Sequence, residues 1–136
     1  MARDSIPATA TLRVARPTAD LAALERFWVD GVGLDVLWRT DGVPDHGHEL
    51  LMVGPAGAGW HLELVADADA AEQSRPGPED LVVIYLGEPA AQEWVARICE
   101  HGGRTVPARN PYWDTWGLTI QDPDGYLLVL SHRTWV

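Results

Sequence analysis

An α+β fold of two tandem βαβββ modules is predicted by three features of the 136-residue sequence. Runs with a period of two and runs with helical spacing follow one another as strand, helix and three strands, and the series then restarts. A small, polar stretch with two prolines separates the halves. Val14, Pro17 and Gly31 have counterparts 72 residues later at Leu86, Pro89 and Gly103, which places strand, helix start and helix stop in register. These features divide the chain into a first module at 1–65, a linker at 66–79 and a second module at 80–136.

The elements follow in order. Thr9 to Val14 alternates polar and apolar residues, as a strand packed on one face does. Pro17 and Asp20 open a helix whose face is Leu21, Leu24, Phe27 and Trp28, and Gly31 and Gly33 stop it. Strands are predicted over Leu34 to Arg39, Glu49 to Val53 and Trp60 to Val65, the last two joined by the hairpin sequence GPAGAG. DADAAEQSRPGPE reads as surface linker. Leu81 to Leu86 is an apolar strand, and Pro89 opens a helix with Ala91, Trp94, Val95, Ile98 and Cys99 on one face. Arg104 to Val106, Gly117 to Gln121 and Tyr126 to His132 complete the second module. In the turn Asp122-Pro123-Asp124-Gly125, proline presets φ and Gly125 can take positive φ.

Composition excludes several function classes. A net charge of −10 repels phosphate backbones and anionic lipid, so no nucleic-acid or membrane partner is expected. The sequence begins without a basic segment leading into an apolar one, and no apolar stretch is long enough to span a bilayer, so a soluble cytoplasmic protein is expected. The single cysteine, Cys99, forms no internal disulfide and is expected as a buried small hydrophobe. Seven tryptophans beside one phenylalanine supply flat stacking surfaces as well as core volume.

The succession of LRV, helix, glycine-containing turn, HLELV, a second strand and helix, and DPDGYLLVL resembles the vicinal oxygen chelate superfamily of glyoxalases, extradiol dioxygenases, fosfomycin-resistance enzymes and bleomycin-binding proteins. GWHLEL and NPYWDTWG are similar to an uncharacterised glyoxalase-like bacterial subgroup. The resemblance implies curved mixed sheets around a cup-shaped pocket. In metal-using members, it also implies four ligands on equivalent strands. Matched by motif, those positions carry Thr9, Glu63, Leu81 (or Asp80) and Val129, and only Glu63 agrees. One carboxylate does not hold a divalent ion, so no metal cofactor is expected. What remains is the branch that the resemblance implies is metal-free, acidic, dimeric and non-catalytic, with antibiotic resistance by binding among its roles.

Alternation places His61 and Glu63 in the cup, with Thr9, Thr11 and Arg13 from the first strand and Leu81, Val83 and Tyr85 from the second module. Arg13 and Glu63 suit either an internal ion pair or ligand recognition. Tyr112, Trp113 and Trp116 lie in a loop and suit either a pocket wall or a dimer contact. Together these residues predict metal-independent binding of a small aromatic molecule, cationic ones included, such as an antibiotic or biosynthetic intermediate, in a cup completed by a homodimer. Two alternatives stay open. One is a lyase, isomerase or other enzyme of the same fold using Glu63 and His61 as acid and base, or a relocated divalent metal on His46, His48, His61 and Glu63. The other is a protein-interaction module built on exposed tryptophans. His101 at a helix end suits the negative pole of the helix dipole, and His132 carries no clear signal.

Overall fold

The computed structural model describes residues 2–41 and 47–135. In chain order the elements are β1 (Leu12–Thr18), α1 (Leu21–Glu25) running on as a π-helical turn over Arg26–Gly31, β2 (Asp35–Thr40), β3 (Leu50–Gly54), β4 (Trp60–Ala66), α2 (Ala68–Gln73), β5 (Leu81–Tyr85), α3 (Gln92–Glu100), β6 (Arg104–Val106), α4 (Pro111–Trp116), β7 (Gly117–Gln121) and β8 (Leu127–Ser131). They form two four-stranded mixed sheets, ordered β1-β4-β3-β2 and β5-β8-β7-β6. Among the described residues no helix is long and apolar enough to cross a membrane.

Period-two patterning decides which faces are buried. Leu62 and Leu64 of β4 and Leu51 and Val53 of β3 are buried against Leu24, Phe27 and Trp28, while the alternate residues turn to the opposite face. The second sheet repeats the rule, since Val82, Ile84, Leu118, Ile120, Leu128 and Leu130 all join the same core. The two modules therefore share one apolar interior. Hydrogen bonds tie them: Trp94 Nε1 donates to the Val32 carbonyl and Arg97 Nε to the Gly31 carbonyl, each at 2.9 Å. Both carbonyls belong to a helix end, where intrahelical partners run out. Gly31 permits the approach, because a Cβ there would meet Ile98 Cα and His101 Cβ at 3.2 Å.

Five expectations are corrected. The first strand starts at Leu12, not Thr9, and runs to Thr18, because β1 pairs in parallel with β4 from Leu12 opposite Trp60 to Thr18 opposite Ala66. Pro17 thus sits in an edge strand, where proline is tolerated. The helix opens on Asp20, whose side chain accepts from Ala23 N at 3.1 Å. The 72-residue match consequently slips in the strands: Val14 is mid-strand and Leu86 lies beyond the end of β5. The linker contains α2, capped by Asp67 accepting from Ala70 N and packed on β1. The aromatic loop is helix α4, with Asn110 accepting from Tyr112 N and Pro111 in its first turn. Cys99 is exposed, because α3 directs Trp94 and Ile98 to the core and turns Cys99 outward.

The β7–β8 turn carries a buried carboxylate. Asp122 is 4% exposed, and its Oδ1 accepts from Asp124 N at 2.9 Å and Tyr126 N at 3.0 Å. Its Oδ2 is buried with no partner among the described residues, as is Nη1 of Arg16, whose guanidinium lies 4.2 Å over the Tyr126 ring. Burial pushes the Asp122 carboxyl up to about 6, against the opposing pull of the two backbone bonds and of Arg16. Gly125 closes the turn with φ +95°, as the sequence requires.

A carboxyl raised in the folded state stabilises the fold below its unfolded pKa, and that contribution is lost as pH rises through about 6. Asp122→Asn keeps the Oδ1 acceptor and removes the buried charge. In urea unfolding the variant is expected to exceed the native protein by about 1–3 kcal/mol at pH 8, the gain vanishing near pH 4. A difference that does not change between these pH values counts against the assignment. Gly31→Ala is expected to lower stability by about 1–3 kcal/mol in the same assay, by forcing α3 off the π-helical turn.

Candidate functional site

On the face of the first sheet opposite the core, three strands bring a polar cluster together. Arg13 of β1 stands opposite His61 of β4 in the parallel ladder. Its Nε donates to His61 Nε2 at 2.9 Å, one terminal nitrogen to Glu63 Oε2 at 3.1 Å, and the other to the Met52 sulfur at 3.5 Å. The predicted trio of Arg13, His61 and Glu63 is thus one hydrogen-bonded unit. The Arg13 side chain is 49% exposed and that of Glu63 17%, so the cluster lies at the surface with its carboxylate turned inward. Thr11 precedes β1 and is exposed, and Thr9 lies in a turn outside the strand.

Trp38 and Met52 were missed by the sequence reading. Met52 pairs with both Glu63 and Trp38, which puts all three side chains on one face. Trp38 is 59% exposed beside the cluster. Its position depends on a bulge: Val36 opposes Val53 of the core face, yet Trp38 opposes Met52, so the shift between them turns the indole over.

The predicted aromatics of the second module form a separate group. Tyr112 and Trp113 meet edge to face at 5.0 Å, Trp116 meets His132 likewise at 5.7 Å, and Tyr85 contacts Trp135 at 5.9 Å. Arg133 lies 4.6 Å over Trp116 and donates to the Tyr112 hydroxyl at 3.0 Å. The contacts of α4 run to β7 and β8, not to the first sheet. Beneath α4, Thr119, Val129 and Ser131 are buried, and the Ser131 hydroxyl donates to the Trp116 carbonyl. An apolar cavity of about 350 Å³ between the two sheets is lined by Leu12, Val14, Trp60, His61, Val82 and Ile84, and touches the polar cluster only through His61. A larger one, about 420 Å³, lies beside α2 and Tyr126, away from the cluster.

The donor set does not fit a divalent metal. Of the four positions the resemblance marks, Leu81 and Val129 offer hydrocarbon, Thr9 is in a turn, and Glu63 is bonded to a guanidinium. Asp80, the alternative to Leu81, accepts from Gly77 N at 2.6 Å. Of the relocated set, His48 Nε2 sits 3.3 Å from Asp67 and His61 is held by Arg13, while His46 lies outside the described residues. His101 behaves as its helix-end position suggests, with Nδ1 2.7 Å from the Arg97 carbonyl. Glu63 has a counter-charge within the chain, the Arg13 guanidinium.

Paired βαβββ modules with this strand order define the glyoxalase and bleomycin-resistance fold of the vicinal oxygen chelate superfamily. Within it, residues 12–65 match the YycE-like N-terminal domain and residues 79–132 the YycE-like C-terminal domain, and the chain belongs to this YycE-like family. Bacillus subtilis (strain 168) YycE, an uncharacterized protein, is 35% identical over 126 residues, covering 90% of this chain and 88% of YycE. A crystal structure of Bacillus subtilis YycE superposes with a TM-score of 0.77 at 30% identity, covering 94% of this chain and 93% of that one. TnmS3, an antibiotic binding protein from Streptomyces sp. CB03234, superposes with a TM-score of 0.62 at 27% identity, covering 96% and 100%.

The half-exposed ion pair sets the expected energetics. In a double-mutant cycle of Arg13→Ala and Glu63→Gln read by thermal unfolding, a coupling of about 0.5–1 kcal/mol is expected, falling as salt is raised. A coupling of zero would remove the pair as the organiser of this face.

Proposed function

We propose that this protein binds a small planar aromatic molecule, of the antibiotic or biosynthetic-intermediate class, without a metal. The observation that carries the reading is that Arg13 supplies the positive charge facing Glu63, on an open face flanked by an exposed indole. The cluster has what orientation requires, a few placed polar groups beside aromatic surface. The similarity to an antibiotic binding protein supports a binding role. A second copy of the chain, in a homodimer, supplies the opposing wall, since Tyr112 and Trp116 remain 40% and 39% exposed and stand apart from the cluster in one chain. An unpaired, exposed Cys99 suits a reducing cytoplasm.

The enzyme reading receives less support. A general base needs a free lone pair, and His61 Nε2 commits its own to Arg13, while Glu63 is ion-paired to the same guanidinium. Titration of the protein with planar aromatic antibiotics, read by tryptophan fluorescence and repeated after exhaustive chelation with elemental mass spectrometry of the sample, tests the proposal. Saturable quenching with an unchanged Kd after metal removal is expected. A Kd that rises about tenfold or more on chelation and recovers with one added divalent metal overturns it.

A further inference from the structure

We infer that the first-module face selects aromatic molecules that present paired oxygen acceptors, a carboxylate in the simplest case, to the Arg13 guanidinium while stacking on Trp38. This rests on the metal-independent binding proposed above and specifies the ligand's chemistry.

A guanidinium carries five N–H groups and no acceptor. Three are engaged: Nε on His61, one N–H of Nη1 on Glu63, and one of Nη2 on the Met52 sulfur. Each terminal nitrogen keeps one N–H with no partner among the described residues, on a side chain that is 49% exposed. The thioether, at 3.5 Å, is a weak acceptor that a ligand oxygen displaces readily. Two N–H groups on one planar head offer donors to two acceptor oxygens of one ligand group, which a point charge does not orient. Glu63 is 17% exposed and its charge is already compensated by Arg13, so a cationic head group meets the guanidinium and finds a carboxylate largely withdrawn from water.

Trp38 fixes where the ring lies. It pairs with Met52 from the strand on one side, while the guanidinium reaches the Met52 sulfur from the other. With strands about 4.8 Å apart, fork and indole flank Met52 within the span of one bicyclic ring. A ring over Met52 gains sulfur–aromatic contact and indole stacking together. The chain's charge of −10 opposes an anion at long range, but about 0.15 M salt screens that field beyond roughly 8 Å and leaves the contact to the fork.

Calorimetric titration at that ionic strength with naphthalene-2-carboxylate and 2-naphthylmethylammonium compares one ring with opposite head groups. The carboxylate is expected to bind at least about tenfold more tightly. Arg13→Gln, verified as folded by its thermal transition, is expected to reverse the order by leaving Glu63 unpaired, and Glu63→Gln to preserve it. Trp38→Ala is expected to weaken both ligands by a similar factor. Equal or tighter binding of the ammonium to the native protein overturns the inference, as does a carboxylate preference that survives Arg13→Gln. If both ligands bind equally and depend on Trp38, the acceptor inference falls while aromatic binding stands. If neither binds, both fall.

Discussion

The seating of α3 on the end of the π-helical turn is the constraint from which the rest of the molecule takes its geometry. The buried residues of both modules form one cluster, in which Ile98 of α3 joins Phe27 and Trp28 of the first module. The bonds from Trp94 and Arg97 satisfy two carbonyls that a helix end leaves without intrahelical partners, at the rim of the apolar contact. A wider final turn and a residue without a side chain at position 31 bring the two helices close enough. With the helices fixed, β1 and β5 become neighbouring edges, and the faces they carry are set.

Much of this was legible in the sequence because the signals are local and repeated. Alternation in WHLELV put Glu63 and His61 on one face and Leu62 and Leu64 on the other, and the same rule brought Arg13 to them across the parallel ladder. What escaped was whatever depends on register or on very short helices. Trp38 shares a face with Glu63 only because the ladder slips after Val36; an uninterrupted strand would have turned it toward the core side. α2 and α4 have six residues each, too few to display a helical period, and only their caps, Asp67 and Asn110-Pro111, announced them. The extension of β1 through Pro17 was hidden by the ordinary association of proline with helix starts, which pairing with β4 overrides.

Electrostatics explains how Glu63 is tolerated on that face. A carboxylate largely withdrawn from water requires a counter-charge or hydrogen bonds, and the fold supplies both from one neighbouring strand. Arg13 also fixes the imidazole of His61: the nitrogen that accepts from Nε carries no proton, which assigns the proton to Nδ1. Three functional groups are thereby held by a single planar head. Arg16, further along β1, and Asp122 show the opposite outcome: each has a buried polar atom without a partner among the described residues, and burial makes the carboxyl hold its proton more tightly.

The sealed face beneath α4 has a consequence for how such a chain diversifies. The two halves share one plan, yet the second sheet has Thr119, Val129 and Ser131 buried, while the first keeps Arg13 and Trp38 exposed. Variation on β1, β2 and β3 can then alter recognition without disturbing the interior that both halves share.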